Sequence, residues 1–329
     1  MSAQPAELSP EQLSAQADFT RLADPFRREL LAHCYGILGS VDEAEDLVQE
    51  TYLRAWRSFG RFEGRSSIRT WLYRIATNAC LTAVEQRNRR PMPTGLGAPC
   101  EDPDQLPPAQ PEIPWLTPLP DTLLVDPAAI VNSRQTIRLA MAAALQHLPP
   151  RQRAVLLLRD VFEWRAGEVA ELLGTTTAAV NSMLQRARAQ LGEVPADDQI
   201  AEPARRDQRE LLDRWAAAME AADVGALMRL LAEDAIWEMP PFTAWFSGRD
   251  AIGRLIESQC PAGPGDTLMV PTRANGQPAF AFYLRDDGTV HRAYAMHVLS
   301  LGGGEVRRVS VFFSPELFES FGLPMEYAA

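Results

Sequence analysis

The stretch Asp42–Leu81, DEAEDLVQETYLRAWRSFGRFEGRSSIRTWLYRIATNACL, reads as two helices joined by a short loop. In the first, Ala44, Leu47, Val48, Thr51 and Ala55 recur at the spacing that puts side chains on one helix face. Asp42, Glu43, Asp46, Gln49, Glu50 and Arg54 then lie on the outer face, which is strongly acidic. The loop Phe62–Ile68 follows, with Gly64 as its breaker. The second helix, Arg69 to Leu81, carries Arg69, Trp71, Arg74 and Asn78, with Leu72 assigned to the core.

Outward from this stretch the whole block 12–90 is helical. Apolar positions recur from Phe19 to Leu38, from Ala44 to Trp56 and from Thr70 to Val84. Gly36, Gly39 and Ser40 mark the first expected break, and Gly60 and Gly64 the second. Residues 91–130 form a Pro-rich linker, too extended to build a core of its own. Within it Ile113, Trp115, Leu116 and Leu119 make an apolar knot that a bare spacer would not need, so this part is expected to dock. A second helical block spans 131–192. In it Ala166–Leu173, the turn Gly174-Thr175 and an N-cap at Thr176 read as a helix-turn-helix. On the following helix Val180, Leu184, Ala187 and Leu191 form the stripe expected to be buried. The outer face shows Thr177, Ala178, Asn181, Ser182, Gln185, Arg186 and Arg188.

The 329 residues suffice for two or three domains, and 46% hydrophobic with 23% charged residues is the balance of a globular chain. The net charge of −11 hides an uneven distribution. Arg134 to Leu191 holds eight Arg against four acids, whereas Ala98 to Ile130 holds six acids and no base. Basic charge therefore sits where a nucleic-acid contact needs it. Every cation other than His is Arg, with no Lys in the chain. Cys34, Cys80, Cys100 and Cys260 are widely spaced, so neither a zinc site nor any other metal or cofactor is expected. No apolar run reaches membrane-span length, and the first residues lack the basic and apolar regions of a leader. A cytoplasmic protein without membrane contact is expected.

The Asp42–Leu81 stretch resembles region 2 of the bacterial RNA polymerase sigma factors of the extracytoplasmic-function group. The segment from His147 to Leu191 resembles their region 4. The resemblance implies that Asp42, Glu43, Asp46, Gln49 and Glu50 dock on core RNA polymerase. It implies that Phe62, Arg65, Ser66, Arg69, Trp71, Arg74 and Asn78 bind and open the −10 element, catching an extruded base by stacking. It further implies that Thr177, Ala178, Asn181, Ser182, Gln185, Arg186 and Arg188 meet −35 promoter DNA. There Asn181 and Gln185 would read base edges and the arginines hold phosphates, with Arg159 and Arg165 assisting.

Residues 205–329 open with the helix RRDQRELLDRWAAAMEAA and a short helix VGALMRLLAEDA. Strand-like runs follow, AIWEMP, DTLMVPTRANG, QPAFAFYLR, VHRAYAMHVLSL and EVRRVSVFF, with Asp287-Gly288 and Gly302-Gly303-Gly304 as turns. This block resembles a SnoaL-like domain of the nuclear-transport-factor-2-like class, an α+β cone. The expected architecture is thus multidomain: two all-α sigma domains followed by the cone. Trp237, Met239, Trp245, Tyr294 and His297 are the candidate ligand-pocket residues. Phe242, Phe246 and Tyr283 are further aromatic candidates, and Asp223, Arg273 and His297 the polar ones. Catalysis would need an acid and a base converging on one pocket, which the sequence does not display, so a non-enzymatic regulatory domain is expected. It is expected to dock in cis against the sigma domains and linker, with Trp115 and the tail ELFESFGLPMEY as contact points. A DNA-tethered enzyme acting on a polyketide-like or steroid-like substrate is the alternative. A repressor acting without polymerase has no use for a melting loop.

Overall fold

The computed structural model describes residues 10–64, 66–85, 89–124, 137–192, 205–285 and 289–328. In chain order its first helices are α1 (Pro10–Ala23), α2 (Arg27–Leu38), α3 (Val41–Ser58), α4 (Ile68–Glu85), α5 (Asp121–Leu124), α6 (Leu139–Leu145), α7 (Pro150–Leu156), α8 (Ala166–Leu173) and α9 (Thr177–Leu191). There follow α10 (Arg205–Glu220), α11 (Val224–Met228), β1 (Leu231–Glu238), β2 (Trp245–Ser247), α12 (Arg249–Gln259), β3 (Thr267–Ala274), β4 (Gln277–Arg285), β5 (Val290–Gly302), β6 (Glu305–Phe312), α13 (Leu317–Ser320) and β7 (Glu326–Ala328). The chain forms two compact units. One joins Met1–Arg87 with Leu148–Leu191, the other Asn88–His147 with Gly192–Ala329.

In the all-helical unit, α2 ends at Gly39, whose φ of 72° is the left-handed cap that glycine adopts without strain. Gly36, expected to break this helix, lies buried inside it; its propensity cost of about 1 kcal/mol is small beside packing. Ser40 caps α3 by accepting from the Glu43 amide. Leu30, Ile37, Val48, Leu72 and Tyr73 fill the core between α2, α3 and α4. Farther along the same unit, Val169, Leu172, Val180, Leu184 and Ala187 bury the facing stripes of α8 and α9. Leu191, expected in that stripe, is only half-buried. It is the last residue of α9, where the helix outruns its neighbours.

The second unit is built on an open sheet of order β2-β1-β6-β5-β4-β3, parallel between β1 and β6 and antiparallel elsewhere. Trp215 of α10 is fully buried against it, with Trp237 and Phe246 in the same core. The expected helix VGALMRLLAEDA stops at Met228, and Leu231 already begins β1. Leu231, Ala232 and Ala235 are buried there because β1 runs beside β6. The C-terminal tail is built into its own unit: Phe318 packs against Tyr283 (5.0 Å between ring centroids), and β7 pairs with β5. The expected Asp287-Gly288 turn lies outside the described residues. The linker is part of this unit too, with Trp115, Leu116 and Leu119 buried.

Candidate functional site

The outer face of α3 is arranged as its periodicity requires. Asp42, Asp46 and Gln49 are exposed, Glu43 and Glu50 half-exposed, and Glu50 pairs with Arg54 one turn on at 2.6 Å. Beyond α3 the loop brings Phe62 onto Trp71, with ring centroids 4.9 Å apart and both rings half-exposed. Ser66 is half-exposed beside this pair and Asn78 exposed farther along α4. Arg65 lies outside the described residues.

Arg69 and Arg74, expected to face DNA, are engaged within the protein. The Arg69 Nε donates to Glu29 at 2.7 Å, and its guanidinium lies over the rings of Tyr73 and Trp164 at 5.4 and 4.8 Å. Arg74 donates to Glu171 of α8 at 3.0 Å. Both find carboxylates that the sequence reading had not paired with them. The two helical blocks therefore meet at α4. His33, Tyr73, Phe162 and Trp164 form a ring cluster there with centroid separations of 4.8 to 5.9 Å. Buried Arg153 of α7 donates to the carbonyls of Ile37 and Leu148, and burial pulls its pKa down to about 10. Burial, and then the Glu29 carboxylate, push the Tyr73 phenol up.

The helix-turn-helix has the expected form. Gly174 ends α8 with φ 60°, and the Thr176 hydroxyl accepts from the Ala179 amide at 3.2 Å to cap α9. Thr177, Ala178, Asn181, Ser182, Gln185, Arg186 and Arg188 are all exposed on one face of α9. Arg188 forms a two-pronged pair with Asp160 at 2.7 and 2.9 Å, which raises its pKa, whereas Arg186 reaches only the Ser182 carbonyl of its own helix. Arg165 is exposed at the start of α8, while Arg159 donates to the Trp164 carbonyl.

A second constellation, missed in the sequence, surrounds the linker. The β3–β4 hairpin turns at Asn275-Gly276, both in left-handed conformation with φ 54° and 71°. Such a pair favours the type I′ turn, and Asn-Gly is the dipeptide that signals it. From this tip the Asn275 Oδ1 accepts from the Leu119 amide (2.8 Å) and its Nδ2 donates to the Ile137 carbonyl (2.7 Å). The Gln277 Oε1 accepts from the Leu139 amide (2.8 Å). Asp121 accepts from the Gly276 amide (2.7 Å) and from Arg273 (3.0 Å). The tip thus holds the linker on both sides of residues 125–136. At the opposite edge of the sheet, the Trp245 Nε1 donates to the Gly97 carbonyl and its carbonyl accepts from the Cys100 amide.

Trp237, Met239, Tyr294 and His297 line one cavity in the cone, of about 90 Å³. Trp245, expected with them, does not line it, because its indole is held by Gly97. Asp223 instead caps α11, Arg273 sits at the hairpin tip, and Tyr283 packs against Phe318 and Tyr327. His297 is 3% exposed, and burial lowers its pKa to about 3. Gln259, Cys260 and Phe282 also line the cavity, and no carboxylate does so among the described residues. No group of His, Cys, Asp and Glu able to hold a metal, and no helix long and apolar enough to cross a membrane, occurs among them either.

Comparison with known proteins agrees with this layout. Residues 22–90 match Sigma-70 region 2, residues 138–191 match Sigma-70 region 4, and residues 212–309 match the SnoaL-like domain. The ECF RNA polymerase sigma factor SigG of Mycobacterium tuberculosis is 53% identical over 314 residues, 94% of this chain and 85% of that one. The SigJ sigma factor of the same organism is 32% identical over 213 residues, 64% of this chain and 61% of that one. The crystal structure of SigJ superposes with a TM-score of 0.60 at 24% identity, covering 94% of this chain and 99% of that one, which establishes a shared fold. With both sigma regions in place and a relative alike over nearly the whole chain, the protein belongs to the extracytoplasmic-function RNA polymerase sigma factors.

Proposed function

We infer that this sigma factor carries core RNA polymerase to its promoters and that its C-terminal body regulates it in cis by holding the linker between the two sigma regions. The α3 face of Asp42, Glu43, Asp46, Gln49 and Glu50 docks on the polymerase, where complementary charge steers encounter. Phe62 and Trp71 form the stacking platform for an extruded −10 base, flanked by Ser66 and Asn78. Asn181 and Gln185 read −35 base edges from α9, with Arg186 on phosphate. Arg69, Arg74 and Arg188 join them only after leaving Glu29, Glu171 and Asp160.

The observation that carries the cis-regulatory reading is the hairpin tip Arg273–Gln277, which hydrogen-bonds the linker on both sides of residues 125–136. Elements centred about 25 base pairs apart are separated by about 85 Å of duplex at about 3.4 Å per pair. A region 2 and a region 4 that touch through Arg74 and Glu171 cannot span that distance, so they must separate on the promoter. The 60 residues of Asn88–His147, if free, have a contour of about 200 Å, ample for this. Folded onto the cone, they lose that reach. Linker capture therefore favours the closed, inactive state. The cone's cavity, lined by a neutral histidine and no carboxylate, supports binding in preference to acid–base chemistry.

Permanganate reactivity of −10 thymines in the presence of core polymerase tests the sigma assignment. The full chain should open the DNA, and Trp71→Ala should still bind core polymerase but open DNA at least tenfold less. Opening that is independent of the chain, or no binding to core polymerase, would refute the assignment.

A further inference from the structure

The inner cavity of the cone is apolar but for one group at its wall. Trp237, Met239, Phe282 and Val311 line it, and His297 lies among them, stacked on Phe282 at 5.2 Å and edge-on to Trp237 at 5.9 Å. The Nδ1 of His297 is buried and has no hydrogen-bond partner within the protein. A buried polar atom left without a partner is costly, so this one is aimed at something the protein itself does not supply. Because burial keeps the imidazole neutral, it can exchange one hydrogen bond with a hydroxyl or carbonyl but cannot balance a charge. No charged side chain among the described residues lines the cavity, so an ammonium or carboxylate entering it would be stranded.

Size narrows the choice further. An apolar cavity of about 150 Å³ takes benzene. This one, at about 90 Å³, is tighter, but it shares Met219, Ile256 and Cys260 with a neighbouring hollow of about 280 Å³. A single ring fits the inner space, with any substituent directed to the outer one.

The strand that walls the cavity also meets the linker. Successive side chains of a strand point to opposite faces. On β1 and just beyond it, Trp237 and Met239 face the cavity while buried Glu238 faces away. The Glu238 Oε2 accepts from Thr94 of the linker at 3.0 Å, and its Oε1 from Ser310 (2.8 Å) and Arg308 (3.3 Å). Two residues past Met239, the Pro241 carbonyl accepts from the Gln110 amide of the linker at 2.9 Å.

We propose that the inner cavity is an effector site for an uncharged, ring-bearing small molecule with one hydrogen-bonding group at the His297 end, and that β1 relays its occupancy to the linker. This rests on the linker-capture reading above.

Fluorine NMR of the full chain with 4-fluorophenol, fluorobenzene and 4-fluorobenzoate, with amide exchange of residues 91–120 followed in parallel, tests it. 4-Fluorophenol should bind at least tenfold more tightly than 4-fluorobenzoate. His297→Phe should erase the preference for the phenol over fluorobenzene, and the cavity-filling Val311→Phe should abolish binding of both. Saturating 4-fluorophenol should change linker exchange at least threefold. Failure of all three probes to bind the wild-type chain would overturn the site, as would binding unaltered by Val311→Phe, and either result leaves linker capture standing. Binding without altered linker exchange would overturn the relay. A linker unprotected before any probe is added would instead overturn the capture reading.

Discussion

Replacing Asn275 by Gly isolates what the hairpin tip contributes to holding the linker. Glycine keeps the left-handed backbone that φ 54° requires, so turn strain is not introduced. What disappears is the carboxamide, which accepts from Leu119 at 2.8 Å and donates to Ile137 at 2.7 Å. Each buried hydrogen bond contributes about 1 kcal/mol net, and each stranded partner costs about 1–3 kcal/mol. A docked linker is therefore destabilised by about 2–4 kcal/mol. At about 1.4 kcal/mol per tenfold, local opening becomes about 30- to 700-fold more frequent. Hydrogen exchange at the Leu116 and Leu139 amides, whose acceptors are the Pro91 carbonyl and the Gln277 side chain, reports this opening without touching the mutated contact. Exchange within threefold of the wild type at both amides would refute the claim that Asn275 holds the linker.

Four further outcomes follow from the same structure. His33 and His297 are both buried with pKa values lowered to about 3. Below pH 6.5 the unfolded chain binds protons that the folded chain refuses, so stability falls as pH drops from about 6.5 towards 3; each histidine should cost about 2 kcal/mol by pH 5. Urea midpoints at pH 7 and 5 should show this loss, and His297→Phe should remove its own share of it; an unchanged midpoint in the wild type would contradict the assignment. In the helix-turn-helix, Asn181→Ala or Gln185→Ala should cost about 1–3 kcal/mol on the selected −35 sequence and little on scrambled DNA. Arg186→Ala should weaken both alike and lower the salt slope by about one, as read by anisotropy titrations. Trp215→Ala, emptying the fully buried position against Trp237, should cost about 3–5 kcal/mol in the unfolding transition of the C-terminal body. Arg74→Ala breaks an exposed pair with Glu171 and should change stability by about 0–1 kcal/mol at most, so a larger loss in a melting experiment would show that the pair is not solvent-screened.

The helical blocks were legible because their signals are local. The acidic face of α3, the Thr176 cap and the start of α8 all follow from spacing and cap chemistry within one or two turns. What the sequence did not disclose depends on residues far apart in the chain. Arg69 and Arg74 have the character of DNA contacts, but Glu29 and Glu171 lie 40 and 97 residues away from them, and only packing brings each pair together. The strand begun at Leu231 looked helical because LLAED suits a helix until β6 offers it a parallel neighbour. Trp245 has the chemistry of a pocket residue, yet its indole N–H is satisfied 148 residues upstream at Gly97. The apolar knot at Trp115–Leu119 announced that the linker docks. Its receptor, the Asn-Gly hairpin, was visible as a turn signal, although nothing local says what a turn touches.

The most direct test of the account is transcription in vitro with core RNA polymerase, comparing the full chain with its Asn275→Gly/Gln277→Ala variant on a promoter selected from randomised −35 and −10 elements. If linker capture holds the sigma factor closed, both proteins should initiate at the same start site, with the variant severalfold more active at limiting concentration. A variant that folds and binds core polymerase yet initiates no better than the wild type would contradict it.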